Sequence, residues 1–210
     1  MRIPSLTRTV GRRIPGQRAL QTRQQLVGAV IELLAENPYR SVTVMQVARA
    51  AGTSPATFYE YFESVDEVVL DVVGPLADKT AEQLADFADG SWASEGVYGA
   101  TRFVEAVRHA WSDHRVVMRI LMAVAAENDP RFVQAYRLVT DPVVRALRSA
   151  AEPNMPSPDM CAAMAHSLVT MLASAAAHKG ADSIDSYEKW ARREGLSHIV
   201  YTSVTTVIAY

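Results

Sequence analysis

One stretch of this chain, Thr43–Phe62, constrains its fold more strongly than any other. In the first half of the stretch, apolar residues recur at intervals of three and four, which is the spacing of one face of an α-helix. These residues are Val44, Val47, Ala48 and Ala51. Thr43 and Gln46 have the spacing of a capping box, in which the hydroxyl accepts a hydrogen bond from an amide of the first turn. The pattern therefore predicts a short helix that begins after Thr43.

A second short helix is predicted directly after the first. Gly52 is expected to end the first helix, because glycine readily adopts the left-handed conformation that follows a helix C-terminus. Ser54 can cap the next helix, and Pro55 suits its first position, where the missing N–H costs nothing. Phe58 and Phe62 lie four residues apart and should face inward. The residues left to face outward are Thr53, Ser54, Ala56, Thr57, Tyr59 and Tyr61.

Two helices joined by a short turn that contains glycine describe a helix-turn-helix. The groups expected on the outer face of the second helix are mainly hydroxyls and phenols, which can bind phosphate oxygens and base edges. The same periodicity also fits an ordinary helical hairpin inside an all-α core. Periodicity alone leaves both interpretations open.

The residue identities in and around the second helix are more specific than its apolar periodicity. It reads Gly52-x-Ser54-x-x-Thr57-Phe58-Tyr59-x-Tyr61-Phe62-x-Ser64, and an acidic and apolar helix follows. This motif resembles the DNA-binding domain of the tetracycline-repressor (TetR) family, with a dense match from Arg23 to Val68. The resemblance implies an all-α fold, with an N-terminal three-helix helix-turn-helix domain and a C-terminal helical domain for ligand binding and dimerisation. A looser resemblance, carried by Trp111–His114 and His198–Ser203, is to the subgroup of mycobacterial ethionamide-activation repressors.

Three positions depart from the family pattern. Members commonly carry a lysine that meets a DNA phosphate just after the position of Ser64, where this chain has Val65. Met45 and Glu60 stand where many members place polar or aromatic DNA contacts. The departures concern the list of contacts rather than the fold. The predicted DNA-binding residues are Thr43, Thr53, Ser54, Ala56, Thr57, Tyr59 and Tyr61, with Arg12, Arg13 and Arg23 adding positive charge.

Charge is divided unevenly along the chain, whose net charge is −2. Residues 1–62 hold eight arginines and three glutamates, whereas the remainder holds 13 basic and 20 acidic residues. A basic N-terminal third on an acidic body is typical of a protein whose one end meets nucleic acid.

Three segments follow from this organisation. Residues 1–18 combine five arginines with glycine and proline and no acid, and such a composition cannot build a core. This basic flexible arm either neutralises phosphates or enters the minor groove, or it is only a solvated tail. Residues 19–65 are the predicted helix-turn-helix domain, and residues 66–210 are the predicted effector-binding and dimerisation domain.

Helical periodicity extends beyond the helix pair in both directions. Apolar residues within Ala19–Asn37 predict a first long helix that ends before Pro38. Ser64 and Glu67 repeat the capping-box spacing and predict the start of another helix.

Prolines interrupt two of the predicted helices. The helix that opens at Ser64 should be kinked or divided at Gly74-Pro75 before it ends near Gly90. Asp141-Pro142 should kink or split its own helix. The remaining predicted helices are Glu95–Asp113, His114–Glu127, Pro130–Ala151, Asp159–Lys179 and Tyr187–Tyr210.

Large, soft side chains are plentiful in the C-terminal half, where each of them can simply belong to the core. As a set, tryptophan, tyrosine and methionine on several helices also suit an adaptable apolar pocket. His166 and Thr170 would be its polar groups, although a histidine in an apolar helix is more often a core residue. Members of the family bind inducers between the helices of this half, so we predict a small-molecule effector. The predicted ligand contacts are Trp92, Phe103, Trp111, Met118, Met122, Tyr136, Met164, His166 and Thr170.

The last two helices usually form the dimer surface in the family. Here they carry small and β-branched side chains that permit close packing: Ala173, Ala176, Ala177, Val200, Val204 and Val207. Two copies would present two recognition helices to a palindromic operator in double-stranded DNA. The resemblance therefore predicts a homodimer.

Other features argue against competing classes of protein. A single cysteine, Cys161, precludes an intramolecular disulfide and fits a reducing cytoplasm. No apolar run approaches the length of a membrane span, and the N-terminus lacks the apolar region of a secretory signal. The chain has no glycine-rich phosphate loop, no His-Glu-x-x-His, no Cys-x-x-Cys and no Gly-x-Ser-x-Gly. We therefore expect no enzyme, no cofactor, no metal site and no membrane partner.

Together these patterns predict a cytoplasmic dimeric repressor that a small apolar ligand releases from its operator. The alternative is a ligand-independent activator or architectural DNA-binding protein, and a helical enzyme is a further, less favoured one. A pocket in the C-terminal half distinguishes the repressor from the ligand-independent protein, because a protein without a ligand should fill that space with side chains.

Overall fold

The computed structural model describes residues 16–177 and 186–207, except for the side chains of residues 186–192. This described part consists of α-helices and short 3-10 helices and contains no β-strand. The all-α prediction is therefore confirmed. The chain divides into two compact units, Met1–Val68 and Val69–Tyr210. The predicted boundary after residue 65 lies three residues before this division.

The N-terminal unit combines one long helix with short ones. Its elements are α1 (Gln17–Glu36), a 3-10 turn (Tyr39–Ser41), α2 (Val44–Ala50), α3 (Pro55–Tyr61) and α4 (Val65–Asp71), which runs across the unit boundary. Most apolar positions picked out by the helical period are completely buried and form its core, whereas Val44 and Ala51 are half-buried. The buried positions include Leu26, Val30, Leu34, Val47, Ala48 and Phe58.

The first helix corrects the predicted extent of the arm. Gln17 and Arg18 lie in the first turn of α1, although their composition predicts that they belong to the flexible segment. Glutamine, arginine and alanine are all good helix formers, so nothing in these residues stops the helix from extending. The rest of the predicted arm, residues 1–15, lies outside the described residues.

Gly52 ends α2 as predicted. Its φ angle of +67° is left-handed, which is the conformation that side chains with a Cβ disfavour. Its N–H donates to the carbonyl of Arg49 at 3.2 Å, and the N–H of Thr53 donates to the carbonyl of Ala48 at 2.9 Å. This pair of bonds is the Schellman arrangement, which satisfies the last carbonyls of a helix. The chain can therefore turn sharply into α3.

The second unit contains the longer helices. Its elements after α4 are α5 (Val73–Gln83), 3-10 turns at Ala85–Phe87 and Ser91–Glu95, α6 (Val97–Ser112), α7 (Arg115–Ala126), α8 (Pro130–Ala151), a 3-10 turn at Glu152–Asn154, α9 (Pro158–Ala177) and α10 (Ser186–Thr205). These bounds agree with the predicted helices within a few residues, except at the end of α10. That helix ends at Thr205 rather than at Tyr210, and residues 208–210 lie outside the described part.

The prolines act differently from one another. The helix opened by Ser64 divides at Val72, so that Pro75 falls in the first turn of α5, where its missing N–H is tolerated. The predicted end near Gly90 is wrong, because α5 stops at Gln83. A 3-10 turn follows it and keeps Phe87 buried.

Of the two outcomes predicted for Pro142, a kink or a split of its helix, the split does not occur. Pro142 lies inside α8, which continues as one helix on both sides of it. The neighbouring Val139 and Val143 are completely buried. Burial of this apolar face offsets the hydrogen bond that proline cannot donate, since packing contributes most of a helix's stability in a folded protein.

Aromatic packing and two close-approach glycines hold the second unit together. Trp92 stacks on Phe103 with ring centroids 4.6 Å apart. The indole N–H of the buried Trp111 donates to the hydroxyl of Thr80 at 3.1 Å. A Cβ on Gly99 would lie 1.9 Å from the carbonyl oxygen of Trp92, and one on Gly90 would lie 2.4 Å from a backbone nitrogen of α8. Glycine is required at both positions, because any larger residue would push these segments apart.

The composition of α9 corrects one further expectation. Among the described helices, it is the one long and apolar enough by length and composition to cross a membrane, although no run of that kind is expected from the sequence. Serine, threonine and histidine interrupt its apolar run, but alanine, leucine, valine and methionine dominate it. A core helix of a soluble protein passes the same test. Only 33% of its apolar window is buried within the chain.

The left-handed turn at Gly52 generates the first testable prediction. Gly52→Ala should lower the free energy of unfolding by about 1–2 kcal/mol, because a Cβ is disfavoured at positive φ. Gly28→Ala is the matched control: Gly28 is exposed inside α1, and a Cβ added there would have no atom within 4 Å. Alanine there should raise the same quantity by about 0.5–1 kcal/mol. Urea unfolding followed by circular dichroism measures both changes, and equal stability of Gly52→Ala and the unaltered protein would contradict the left-handed turn.

Candidate nucleic-acid interface

Helix α3 is held in place by its caps and by two buried phenylalanines. The hydroxyl of Ser54 accepts a hydrogen bond from the N–H of Thr57 at 3.1 Å, and Pro55 occupies the first helical position. Phe58 is fully buried and Phe62 is 3% exposed, with ring centroids 5.9 Å apart. The predicted inward face is thereby confirmed. Anchoring one face in the core leaves the opposite face of α3 toward solvent.

The predicted outward residues differ in how far they are exposed. Ser54, Ala56 and Tyr59 are exposed, and Tyr59 reaches 60%. Thr53, Thr57 and Tyr61 are half-buried. The exposed face of the short helix therefore presents a methyl group, a hydroxyl and a phenol, and these groups are small enough or polar enough to approach a DNA groove.

Several hydroxyls predicted to contact DNA also cap helices. Thr43 forms both halves of the capping box, since its hydroxyl accepts from the N–H of Gln46 at 3.3 Å and its own N–H donates to the Gln46 side chain at 2.8 Å. The hydroxyls of Ser54 and Thr57 lie 3.1 Å apart and share a hydrogen bond. A hydroxyl has one donor and two acceptor positions. The Thr43 hydroxyl also donates to Oε1 of Gln46 at 2.9 Å, so it keeps only an acceptor position, and only one of Ser54 and Thr57 keeps its O–H free to donate to a phosphate. Substitutions at these residues will affect helix stability as well as any DNA contact.

The capping box predicted at Ser64 forms only in part. The hydroxyl of Ser64 accepts from the N–H of Glu67 at 3.3 Å. The carboxylate of Glu67, however, accepts from the N–H of Glu63 instead of the N–H of Ser64. Val65, which stands where the family commonly has lysine, is buried and belongs to the core.

The arginines expected to add charge are only partly described. The guanidinium of Arg23 lies over the ring of Phe62, 5.0 Å from its centroid, and is half-buried. Arg12 and Arg13 lie outside the described residues. Met45, at the start of α2, is 73% exposed.

The charge of the described N-terminal unit contrasts with that of the whole N-terminal third. Residues 16–68 contain four arginines and six carboxylates, which is a net charge of −2. The other four arginines of the N-terminal third lie in residues 1–15, which contain no acid. The positive charge of the N-terminal third that could attract nucleic acid is therefore concentrated in the segment that precedes α1.

Four of the predicted ligand contacts belong to the core of the second unit. Trp92, Phe103, Trp111 and Met118 are each at most 2% exposed. Trp92 and Phe103 stack on each other, and Trp111 is bonded to Thr80. The indole N–H of Trp92 has no hydrogen-bond partner among the described residues. A ligand-binding role for these four stays a prediction.

The other five predicted ligand contacts lie nearer to the surface, on α7, α8 and α9. Met122, Tyr136 and Met164 are half-buried, whereas His166 and Thr170 are exposed. Burial raises the pKa of Tyr136, and a hydrogen bond with the Thr170 side chain partly offsets this rise. That bond joins two of the predicted contacts. Nδ1 of His166 lies 2.7 Å from the carbonyl oxygen of Ala162, so it carries the proton and donates it.

A cleft that the sequence patterns do not predict lies elsewhere in the second unit. It has a volume of about 450 Å³ and is lined by the last turns of α8, the segment before α9 and the start of α9. None of the nine predicted ligand contacts lines it. The available signal was a proline-rich break beside two arginines one turn apart on α8, but only the folded chain brings these elements together. The described residues also hold no group of three His, Cys, Asp or Glu side chains that could bind a metal ion.

Comparisons with known proteins agree with this arrangement. Residues 26–72 match the family described as bacterial regulatory proteins, tetR family, and residues 82–208 match the tetracyclin repressor-like C-terminal domain. A TetR-family transcriptional regulator from Bordetella parapertussis is 18% identical, with a TM-score of 0.60 over 90% of this chain and 98% of that one.

Two further solved structures share the fold. The fatty acid degradation regulator FadR from Bacillus halodurans is 14% identical, with a TM-score of 0.59 over 86% of this chain and 94% of that one. FadR of Thermus thermophilus, a TetR-family repressor in complex with lauroyl-CoA, is 15% identical, with a TM-score of 0.54 over 90% and 97%. With a helix-turn-helix unit and a C-terminal domain that both match, this chain belongs to the TetR family of transcriptional regulators.

Proposed function

We propose that this protein is a dimeric repressor that binds a palindromic operator and is released from it by a small ligand. The observation that carries the proposal is the exposed face of α3, whose opposite face is fixed in the core by Phe58 and Phe62. A rigid helix that presents small and polar groups can enter the major groove and read base edges. We further propose that the protein acts in the cytoplasm and is not an enzyme.

The residues of the reading face divide into two proposed roles. Ala56 and Thr57 would approach base edges, because small side chains allow the helix to lie close to the groove. Tyr59 and Tyr61 would bind phosphates through their phenols. Thr43, Thr53 and Ser54 would add hydroxyl contacts at the two helix N-termini.

A second copy of the chain is the proposed partner of α9 and α10. The exposed part of α9 includes two small side chains that allow close packing, Ala163 and Ser167. Ala173, Val200 and Val204, which the family resemblance assigns to the dimer face, are instead buried within their own unit. Only a third of the apolar window of α9 is buried, and the rest is half-buried or exposed, so association of two copies would cover this surface.

A ligand is proposed to act through the second unit. One structure with the same fold contains lauroyl-CoA, which supports a small-molecule effector without identifying it. A ligand changes DNA affinity only if it binds one conformation more tightly than the other. The nine predicted contacts remain the proposed site for an apolar effector.

The direct test is retardation of the upstream intergenic DNA by the purified protein, at two salt concentrations and with non-specific competitor. Specific and strongly salt-dependent retardation is expected, because neutralised phosphates release counterions. If the protein binds neither this DNA nor any sequence in a random duplex library, the DNA-binding proposal is wrong.

Two substitutions on α3 separate phosphate binding from base reading. Tyr59→Phe should weaken binding to all sequences by a similar factor, because it removes a phosphate contact. Thr57→Ala should change the ranking of operator variants. The discrimination between bases at the affected position should change by about 1–3 kcal/mol of binding free energy. Selection from a randomised operator library measures both effects. Circular dichroism of Thr57→Ala controls for loss of the Ser54–Thr57 hydrogen bond, and an unchanged ranking would rule out the base-reading role.

The segment that precedes α1 is proposed to supply the positive charge that residues 16–68 lack. Replacing Arg12 and Arg13 together by alanine should make the negative slope of log K against log salt less steep. The slope should change by about 0.9 for each phosphate that is no longer neutralised. Arg137→Ala, at an exposed position of the second unit, is the control and should leave the slope unchanged. Equal slopes for all three proteins would mean that the segment is only a solvated tail.

The proposed dimer surface can be disrupted without touching the core. Ser167→Arg places a charge on the exposed face of α9 and should give a monomer in sedimentation velocity, because a buried unpaired charge is costly. Gln134→Arg, at an exposed position of α8, should leave the dimer intact. If Ser167→Arg sediments as the unaltered protein does, α9 is not the interface.

A further inference from the structure

The cleft at the end of α8 has a distinct shape and lining. Its volume of about 450 Å³ can accommodate a small organic molecule. The final turns of α8, the segment of residues 155–157 and the first turn of α9 form most of its walls. The lining residues are Ala88, Arg145, Arg148, Ser149, Glu152, Met155, Pro156, Ser157, Pro158 and Cys161.

Positive charge exceeds negative charge in this lining. Arg145 and Arg148 line the cleft, and Glu152 is the one carboxylate among the described residues that form its walls. The guanidinium of Arg145 lies 3.4 Å from the carboxylate of Asp141, in a pair that is exposed to solvent on both sides. Such exposed pairs contribute little and open easily. The guanidinium of Arg148 has no acidic partner in the described part of the chain, so it is available to an anion.

Part of the cleft wall is apolar. Met155, Pro156 and Pro158 line it together with the buried Cys161, whose thiol donates to the carbonyl oxygen of Arg148 at 3.5 Å. That bond joins the start of α9 to the end of α8. Methionine adapts its shape to irregular apolar groups. An occupant would therefore place an apolar group against this wall while its charge faces the arginines.

The N-terminus of α9 adds to the same electrostatic preference. Helix α9 is 20 residues long and begins at Pro158, which lines the cleft. The partial positive charge of a helix N-terminus favours anions. Ser157, also in the lining, caps the helix by accepting from the N–H of Met160 at 3.2 Å. Two guanidinium groups and a helix N-terminus thus face one space.

We propose that this cleft binds a small organic anion that carries an apolar group, with Arg148 as the main anion contact and Arg145 as the second. Its position outside the nine predicted ligand contacts makes it a separate site from the proposed apolar pocket. Any influence of this anion on repression rests on the proposed function, but the binding itself does not.

The test uses two fluorescent probes that share an aryl skeleton. 8-Anilinonaphthalene-1-sulfonate carries a sulfonate, and N-phenyl-1-naphthylamine is the same skeleton without it. Titrated into the full chain without DNA, the sulfonate should bind at least fivefold more tightly than the neutral probe. Arg148→Met should weaken sulfonate binding about tenfold, because it removes a charge-assisted hydrogen bond but keeps the length of the stem. The neutral probe should be unaffected by this substitution.

Three controls make the result decisive. Arg137 lies on the same helix as Arg148, about 16 Å away along the helix axis. The Arg137→Met variant should bind the sulfonate as the unaltered protein does. Arg148→Lys keeps the charge and should restore most of the affinity. Circular dichroism identifies any variant that has lost its fold. If Arg148→Met is such a variant, Arg145→Met tests the same site instead, and a smaller decrease in sulfonate affinity is expected for it.

Two results would overturn the proposal. Equal sulfonate binding by the unaltered protein and by the Arg145→Met, Arg148→Met double variant would place the anion elsewhere. Equal weakening in Arg148→Met and Arg137→Met would show general charge attraction rather than a site. DNA retardation, measured separately on the same preparations, should be unchanged in Arg148→Met without a probe. If the unaltered protein fails to retard DNA while the probe results hold, the proposed function falls and the anion site stands.

Discussion

Burial of Phe58 and Phe62 is the constraint on which the N-terminal unit depends. These side chains fill the space between α3 and the rest of the unit, and complete burial of a phenylalanine contributes about 1.5–3 kcal/mol. Because they lie one helical turn apart, they fix the rotation of α3 about its axis. This fixed rotation places Ala56 and Tyr59 on the solvent-exposed face of α3. The same packing that stabilises the unit determines which groups it can present to DNA.

Hydrogen bonds at the helix ends complete this arrangement. A seven-residue helix has most of its backbone groups unpaired by the helix itself, so caps weigh heavily on its stability. Thr43, Gly52 and Ser54 supply them. Thr43 and Ser54 are also proposed DNA contacts, so their substitution changes fold and recognition together. Ala56 and Tyr59, which make no cap, are the cleaner places to examine recognition alone.

The two units manage charge and apolar surface in different ways. The described part of the N-terminal unit is slightly acidic, and the positive charge of this end is concentrated before α1. The second unit covers its aromatic side chains by stacking and close backbone approach at Gly90 and Gly99. It buries only a third of the apolar window of α9 and forms a cleft with two arginines. Surfaces of these kinds are where a helical regulator can meet a second copy or a small molecule.

Local interactions made the helix-turn-helix predictable from the sequence. Thr43, Gly52, Ser54 and the pair Phe58 and Phe62 act within a few residues of one another, so their spacing alone determined both helices and the inward face. Contacts between distant parts of the chain decided the rest. Burial kept α8 continuous through its proline, placed four expected ligand contacts in the core, and turned Ala173 inward. The cleft beside Arg148 exists only because the end of α8 meets the start of α9, and periodicity within one helix carries no information about which helix will pack beside it.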